Sequence, residues 1–311
     1  MILVAGSANL DFVVRTAHIP AAGETVLGHS LATHPGGKGA NQAVAAARAG
    51  GASTHMLLAL GSDAHAQVLE QSLHGAGVTT HVVRSPVHAT GTAFICVSDD
   101  AENAITVAPG ANDTLAPAHL PAVEGFTHLL MQLEIPLPTV AAYARAARAA
   151  GLTVVLNAAP AQALDADLLA LLDVLIVNEG ELARITGSTG LVADALARLQ
   201  VPLIVVTLGA RGCCARQGTA YLLQPAFAIE PVDTTGAGDT FCGVLVAGLD
   251  QGLALAAALR RAAAASALAC TRAGAQSSIP DRAAVEAMLA SQAPVDYSPL
   301  AELRAYCGLP S

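Results

Sequence analysis

The chain has 311 residues, 53% of them hydrophobic, enough for one large α/β domain or two average ones with an ample core. A formal net charge of -9, with lysines and arginines scattered rather than clustered, leaves no electrostatic footprint for nucleic acid or an anionic membrane. No uncharged run reaches the ~18 to 20 residues of a membrane span, and the N-terminal MILVAGSANLDF lacks a basic leader, so a cytoplasmic location is expected.

Taken from the N-terminus, ILVAG (2–6) reads as a strand and GANQAVAAARAG (39–50) as a helix, followed by strand HMLLAL (55–60) and helix HAQVLEQSLHGAG (65–77). Farther along come strand THLLMQL (127–133), helix TVAAYARAARAAG (139–151), and strands TVVLN (153–157), LLDVLIVN (171–178) and PLIVVTLG (202–209). Nearly continuous apolar strands alternating with helices require a parallel sheet covered on both faces. The expected fold is therefore α/β, a doubly wound, mostly parallel sheet flanked by helices, over residues 1–292. Residues 24–34 and 91–107 break the pattern. Having no helical period, and with a polar turn at SDDAEN (98–103), they predict a small separate β-sheet. Its strands, at about 12–34 and 91–108, would form a lid above the strand-end crevice. The tail 293–311, proline-bearing and weakly periodic, suggests no element and no role.

The six cysteines show no paired metal spacing and several lie in apolar runs, the pattern of reduced buried thiols. Vicinal Cys213 and Cys214 are expected on alternate faces of a strand. The ten histidines stop at His128 and form no HxH or HxxxH pair, which argues against a catalytic zinc site.

Two glycine-rich segments open helices. In DTTGAGDTF (233–241), Gly236, Ala237 and Gly238 let backbone N–H groups converge without Cβ obstruction, where the free donors of a first helical turn and the macrodipole favour an anion. Asp239 follows at the mouth of an apolar run, CGVLVAGL (242–249), either as a functional carboxylate or as an N-cap closing the turn. The second segment is PGGKGAN (35–41). Two such loops at strand ends of a doubly wound sheet suggest two polar ligands meeting over one crevice. Lys38 does not make a P-loop, because the GxxxxGK[ST] spacing is absent, and GSANLD (6–11) lacks the GxGxxG of a dehydrogenase. Asn9 and Asp11 share one side of an extended segment and could grip adjacent hydroxyls or cap a turn. Asn178 and Glu181 share one side of a first helical turn, as ligands or as a capping box.

The segments GSANLD (6–11), AGETV (22–26), GGKGANQAVAAARAG (36–50), MQLE (131–134), NEGE (178–181), TLGARG (207–212), DTTGAGDTF (233–241) and TRAGAQSS (271–278) occur in a telling order. In order and separation they resemble the PfkB-type carbohydrate kinase family, and within it the ribokinases, across nearly the whole chain. The resemblance implies a ribokinase-like fold and ATP-dependent phosphorylation of a sugar, with ribose as acceptor, or else another pentose, a ketohexose or a nucleoside. A non-catalytic sugar- or nucleotide-binding protein is disfavoured, since Asp239, the Gly-Ala-Gly run and the N-x-x-E element are intact.

On this resemblance Asn9, Asp11, Gly37, Lys38, Gly39, Asn41 and Glu134 hold the sugar, with Glu134 ending the MQLE strand. Asp239 is the expected general base: a primary hydroxyl is a poor nucleophile, and a carboxylate within hydrogen-bond reach can accept its proton as the bond to γ-phosphorus forms. The N–H groups of Gly236, Ala237 and Gly238 would stabilise charge on the transferred phosphoryl. The resemblance also implies that Asn178 and Glu181 order the Mg²⁺ hydration shell and triphosphate. Thr207, Leu208, Gly209, Ala210, Arg211 and Gly212, with Gly238, would face ATP. Asp233, Thr235, Ala269, Arg272, Gly274 and Ser278 match a monovalent-cation site for K⁺, built mostly of carbonyls. Lid strands pairing between protomers would give a homodimer. Two departures stand out: the helix expected over adenine, RRAAAASALAC (260–270), offers no obvious polar reader of the base, and the tail runs past the usual family end.

Overall fold

The computed structural model describes residues 1–100, 102–291 and 298–310. Residue 101 of the SDDAEN turn, and residues 292–297 and 311 at the expected domain boundary and in the tail, lie outside the described residues. The main sheet is built from β1 (Ile2–Ala5), β4 (Thr54–Leu60), β5 (Thr79–Arg84), β8 (His128–Met131), β9 (Thr153–Asn157), β10 (Val174–Asn178), β11 (Leu203–Thr207), β12 (Gly212–Gln217) and β13 (Ala220–Pro225). Their order across it is β13-β12-β11-β10-β9-β8-β1-β4-β5. From β5 to β11 every pairing is parallel, whereas β12 and β13 close one edge as an antiparallel hairpin. The chain leaves β1 toward β4 on one side and returns to β8 on the other, the reversal beside which a crevice opens beyond the strands' carboxyl ends.

The continuous apolar strands follow from burial on both faces. Ile2 and Val4 of β1 enter one core, with residues of α1 (Lys38–Val44), α2 (Ala64–Gly75), α7 (Ala237–Asp250), α8 (Leu255–Ala269) and α9 (Arg282–Ser291). Leu3 and Ala5 enter the other, with α3 (Leu137–Ala149), α4 (Ala166–Leu169), α5 (Glu179–Thr186), α6 (Val192–Ala197) and α10 (Ser298–Tyr306). Cys213 and Cys214 divide in the same way, one to each core, and all six cysteines are free thiols. Local chemistry sets the helix starts: Asp63 accepts the Ala66 N–H at 3.0 Å and Asp165 the Leu168 N–H at 2.7 Å, each satisfying an otherwise orphaned donor. No helix among the described residues is long and apolar enough to cross a membrane.

A second, four-stranded sheet has the order β3-β2-β6-β7, from β2 (Asn9–Thr16), β3 (Ser30–Gly36), β6 (Gly91–Ser98) and β7 (Asn103–Ala108). Residues 24–29, expected as strand, are irregular. Glu24 accepts the Ala21 N–H at 3.0 Å and pairs with the His18 ring at 2.8 Å, side-chain bonds that compete with a strand ladder. Phe12 and Phe94 stack within this sheet with centroids 5.5 Å apart, while Leu31, Phe94 and Ile105 are 65%, 54% and 54% exposed. The tail contains a helix that its sequence did not suggest: α10 buries Leu303, with Cys307 following, against the second core, and the Cys307 carbonyl accepts the Ala193 N–H at 3.0 Å.

Candidate active site

Two adjoining cavities lie at the carboxyl ends of the parallel strands. The larger, about 450 Å³, and the smaller, about 150 Å³, share Thr207 and Gly238. Asp239 lines the smaller one and is 9% exposed. It is not a cap: the N-cap of α7 is Gly236, whose φ of 72° is a left-handed conformation that glycine adopts without strain. Asp239 instead sits inside the first turn with both oxygens engaged. Asn41 Nδ2 donates to its Oδ2 at 2.9 Å and Gln42 Nε2 to its Oδ1 at 2.9 Å. Both amides come from α1, so the two glycine-rich segments do meet. They meet differently from expectation, however: α1 follows β3 of the small sheet, and α7 follows an irregular loop, so neither caps a strand of the main sheet.

Asn9 and Asp11 lie in β2 of the small sheet and Glu134 follows β8; the Asp11 carboxyl feels the charges of Glu134 and Asp239, although none of the three lines either cavity. Asn9 is fixed by Asn112, which donates to its Oδ1 at 2.8 Å. Burial, together with the neighbouring Glu134 and Asp239 carboxylates, pushes the Asp11 pKa up from 3.8 to about 7. Glu134 does not end a strand, because β8 stops at Met131; it sits half-buried in the turn beyond. There it accepts the Ser7 hydroxyl at 2.5 Å and the Lys38 N–H at 3.1 Å. Gly37 has φ 87°, and a Cβ on it would lie 2.7 Å from the Asn9 amide nitrogen, so its glycine is sterically required beside the candidate sugar residues. Gly39 is buried in the same turn, where its N–H donates to Ser7 Oγ at 3.4 Å.

Toward the smaller cavity, Asn178 and Glu181 form a complete capping box: the Asn178 side chain accepts the Glu181 N–H at 2.8 Å and Glu181 accepts the Asn178 N–H at 2.8 Å. Both also line the cavity, so the capping bonds do not withdraw them from it. Lys38 projects here as well. The carboxylates of Asp239, Glu134 and Glu181 raise its pKa against the opposing effect of burial, keeping it an ammonium. Burial pushes the Glu181 carboxyl upward.

Thr207, Gly209, Ala210 and Gly212 line the larger cavity, opposite Ala237 and Gly238. The side chains of Leu208 and Arg211 are not brought there. Leu208 is packed in the core at 2% exposure, and the Arg211 guanidinium lies 4.1 Å from the centroid of the Tyr306 ring. Opposite walls are apolar, including Phe227, Ile229, Ala263 and Ala267, and the Ser266 hydroxyl is spent on the Ala237 carbonyl at 2.9 Å.

Of the candidate cation residues, Asp233, Thr235 and Gly274 are joined directly: the Asp233 carboxylate accepts the Thr235 N–H at 2.9 Å and the Gly274 N–H at 2.8 Å. The Ala269 carbonyl accepts the Arg272 N–H at 3.2 Å. The Arg272 side chain is exposed, and the Ser278 hydroxyl turns to the Ala275 carbonyl at 2.9 Å. Among the described residues no group of three or more His, Cys, Asp or Glu could hold a metal ion.

Sequence reasoning missed Ser7, Gln42, Asn112, Gln132 and Asn157, all buried and polar at the site. Gln42 had a signal in its place beside Asn41, and Ser7 in the GSANLD segment. Asn112 had none, lying in a short 3₁₀ turn (Gly110–Thr114).

The model of a family described as "pfkB family carbohydrate kinase" matches residues 1–282. The ribokinase of Bacillus subtilis is 39% identical over 293 residues, covering 93% of this chain and 99% of that protein. That of Haemophilus influenzae is 38% identical over 294 residues, with 90% and 95% covered. A structure of Arabidopsis thaliana ribokinase complexed with ribose and ATP superposes with a TM-score of 0.86 at 33% identity, covering 94% of this chain and 99% of that one.

Proposed function

We propose ribokinase activity for this chain, which belongs to the pfkB family of carbohydrate kinases: transfer of the γ-phosphoryl group of ATP to D-ribose, giving ribose 5-phosphate and ADP. The observation that carries the reading is the placement of Asp239, which borders the smaller cavity next to Gly238, a residue shared with a larger cavity of nucleotide size. Asn9 and Asp11, from the small sheet, and Glu134, from the turn beyond β8, hold the sugar. Asn41 contributes too: its Oδ1 is buried without a hydrogen-bond partner, an acceptor suited to a sugar hydroxyl. Asp239 takes the proton from the acceptor hydroxyl as the oxygen attacks phosphorus. The N–H groups of Gly236 and Gly238, with the Lys38 ammonium, stabilise negative charge growing on the transferred group, whereas the expected Ala237 donor is spent on the Thr234 carbonyl at 3.2 Å. Mg²⁺ bound with ATP supplies further charge neutralisation, and Asn178 and Glu181 lie where its hydration shell could be ordered.

Both Asp233 carboxylate oxygens accept backbone N–H groups, from Thr235 and Gly274, so a cation at this turn would draw on hard oxygen donors, which suit an alkali cation better than a transition metal. K⁺ bound there would stiffen the segment leading into Gly236. The test is an ADP-release assay over ribose, deoxyribose, fructose and nucleosides, with K⁺ present and then replaced by Na⁺. Preference for another acceptor would replace ribose, and equal rates in both salts would remove K⁺. The exposed Leu31, Phe94 and Ile105 suit a homodimer formed through the small sheet. Light scattering that returns a monomer mass would reject it. With six free thiols, we place the protein in the reducing cytoplasm, which fractionation of the native host would check.

Gly238→Ala separates site from scaffold. A Cβ there would meet nothing within 4 Å, so the methyl would project into open space where both cavities meet. Helix propensity should leave stability unchanged or raise it by up to ~1 kcal/mol, yet kcat/KM for ATP should fall at least ~10-fold as the phosphates lose their close backbone approach. Unchanged ATP kinetics in a normally folded variant would show that phosphate does not pass this point.

A further inference from the structure

We propose that Gln42 is a positioning residue for phosphoryl transfer, the hub of a buried amide chain that locks the Asp239 carboxylate onto the sugar-binding helix α1. This rests on reading Asp239 as the general base. Gln42 is fully buried, and its side chain makes three short bonds. Nε2 donates to Asp239 Oδ1 at 2.9 Å and to Asn157 Oδ1 at 2.9 Å, while Oε1 accepts from Gln132 Nε2 at 2.7 Å. Asn157 in turn donates to the Ile176 carbonyl at 3.1 Å.

The direction of every bond is forced. A carboxylate and a peptide carbonyl only accept, so Asp239 fixes which end of the Gln42 amide faces it, and Ile176 fixes the orientation of Asn157. With Nε2 thus committed, Oε1 must look to Gln132, which has to donate. A chain anchored by acceptors at both ends has a single arrangement, and bonds of this kind reinforce one another in a dry interior. Gln132 follows β8, Asn157 ends β9 and Ile176 lies in β10, so the chain ties Asp239 to neighbouring strands of the main sheet.

Asn41 grips the other carboxylate oxygen and presents an unpartnered Oδ1 beside it. Gln42 differs in having every polar atom of its side chain engaged within the protein, so no ligand contact is open to it. Its effect on the reaction passes through the groups it bonds, chiefly Asp239, with Asn157, which also lines the smaller cavity. Holding that carboxylate to one rotamer relative to α1 keeps the acceptor hydroxyl and the base in register, and a displacement of about 1 Å between reacting groups can cost ~10²-fold in rate.

The experiment compares wild type, Gln42→Leu, Gln132→Leu and the double variant by steady-state kinetics and thermal unfolding. Gln42→Leu should lower kcat by ~10- to 100-fold with the sugar KM within about threefold of wild type. Gln132→Leu frees the far end of the Gln42 amide without touching Asp239, and should lower kcat by at least ~3-fold with the same unchanged KM. The double variant should lose no more than Gln42→Leu alone, the non-additivity of members of one network. Single variants that fold and turn over within about twofold of wild type would overturn the proposal, as would losses that multiply. If Gln42→Leu does not fold, Gln132→Leu decides alone by the same kcat criterion. A wild-type chain without kinase activity would instead defeat the functional reading beneath it.

Discussion

Asp239→Asn lowers turnover by at least ~10²-fold while sugar affinity changes little; that is the expected result if this carboxylate is the general base. The substitution keeps the shape of the side chain and removes its capacity to take a proton. It also has a structural signature. Two N–H donors, from Asn41 and Gln42, converge on the carboxylate at 2.9 Å each. An asparagine offers only one oxygen, so one of those donors would face an NH₂ group and lose its acceptor. Leaving a buried donor unsatisfied costs ~1 to 3 kcal/mol, and thermal unfolding should register it. Turnover from coupled ADP release and sugar affinity from calorimetry read the two effects separately. Near-wild-type turnover would remove Asp239 from the role of base.

Asp11→Asn is expected to stabilise the protein and to weaken sugar binding. Burial and the adjacent Glu134 and Asp239 carboxylates raise the Asp11 pKa from 3.8 to about 7. The folded state therefore binds a proton that the unfolded chain has already released between those values. The stabilising contribution of this group is fully present below pH ~4 and is lost as pH rises to ~7, amounting to ~4 kcal/mol at most. Asparagine has no charge to desolvate. The stability difference between variant and wild type should be flat in acid, grow through that window and level off above it. Sugar KM should rise at least ~10-fold, since a hydrogen bond to a charged group is worth ~1.5 to 3 kcal/mol. A pH-independent difference in denaturation midpoint would show that Asp11 carries no such burden.

What the sequence made legible was whatever repeats with the backbone period or depends on glycine. Strands such as ILVA are apolar throughout because alternate residues enter different cores, and Cys213 and Cys214 follow the same rule. The glycine-rich openings of α1 and α7 were visible because few other residues tolerate φ near 87° or 72°. Hidden features depended on long-range partners. Gln42 bonds Asp239 and Asn157 across sequence separations of 197 and 115 residues, which no local pattern encodes. The resemblance set Arg211, with the rest of TLGARG, facing ATP, but α10 supplies Tyr306 as a competing platform for its guanidinium. Glu134 looked like a strand end because the apolar run continues through Leu133, although pairing with β9 stops at Met131. Residues 24–29 lost their strand to the bonds that Glu24 makes with His18 and Ala21.

The most direct measurement is ADP release by the purified chain, with ATP and Mg²⁺ present, before and after adding ribose, for wild type and Asp239→Asn side by side. The expected result is a ribose-dependent burst of ADP matched mole for mole by a sugar phosphate in the wild type and nearly absent in the variant. Release that ignores ribose and every other sugar offered, or that survives the loss of the carboxylate, would contradict it.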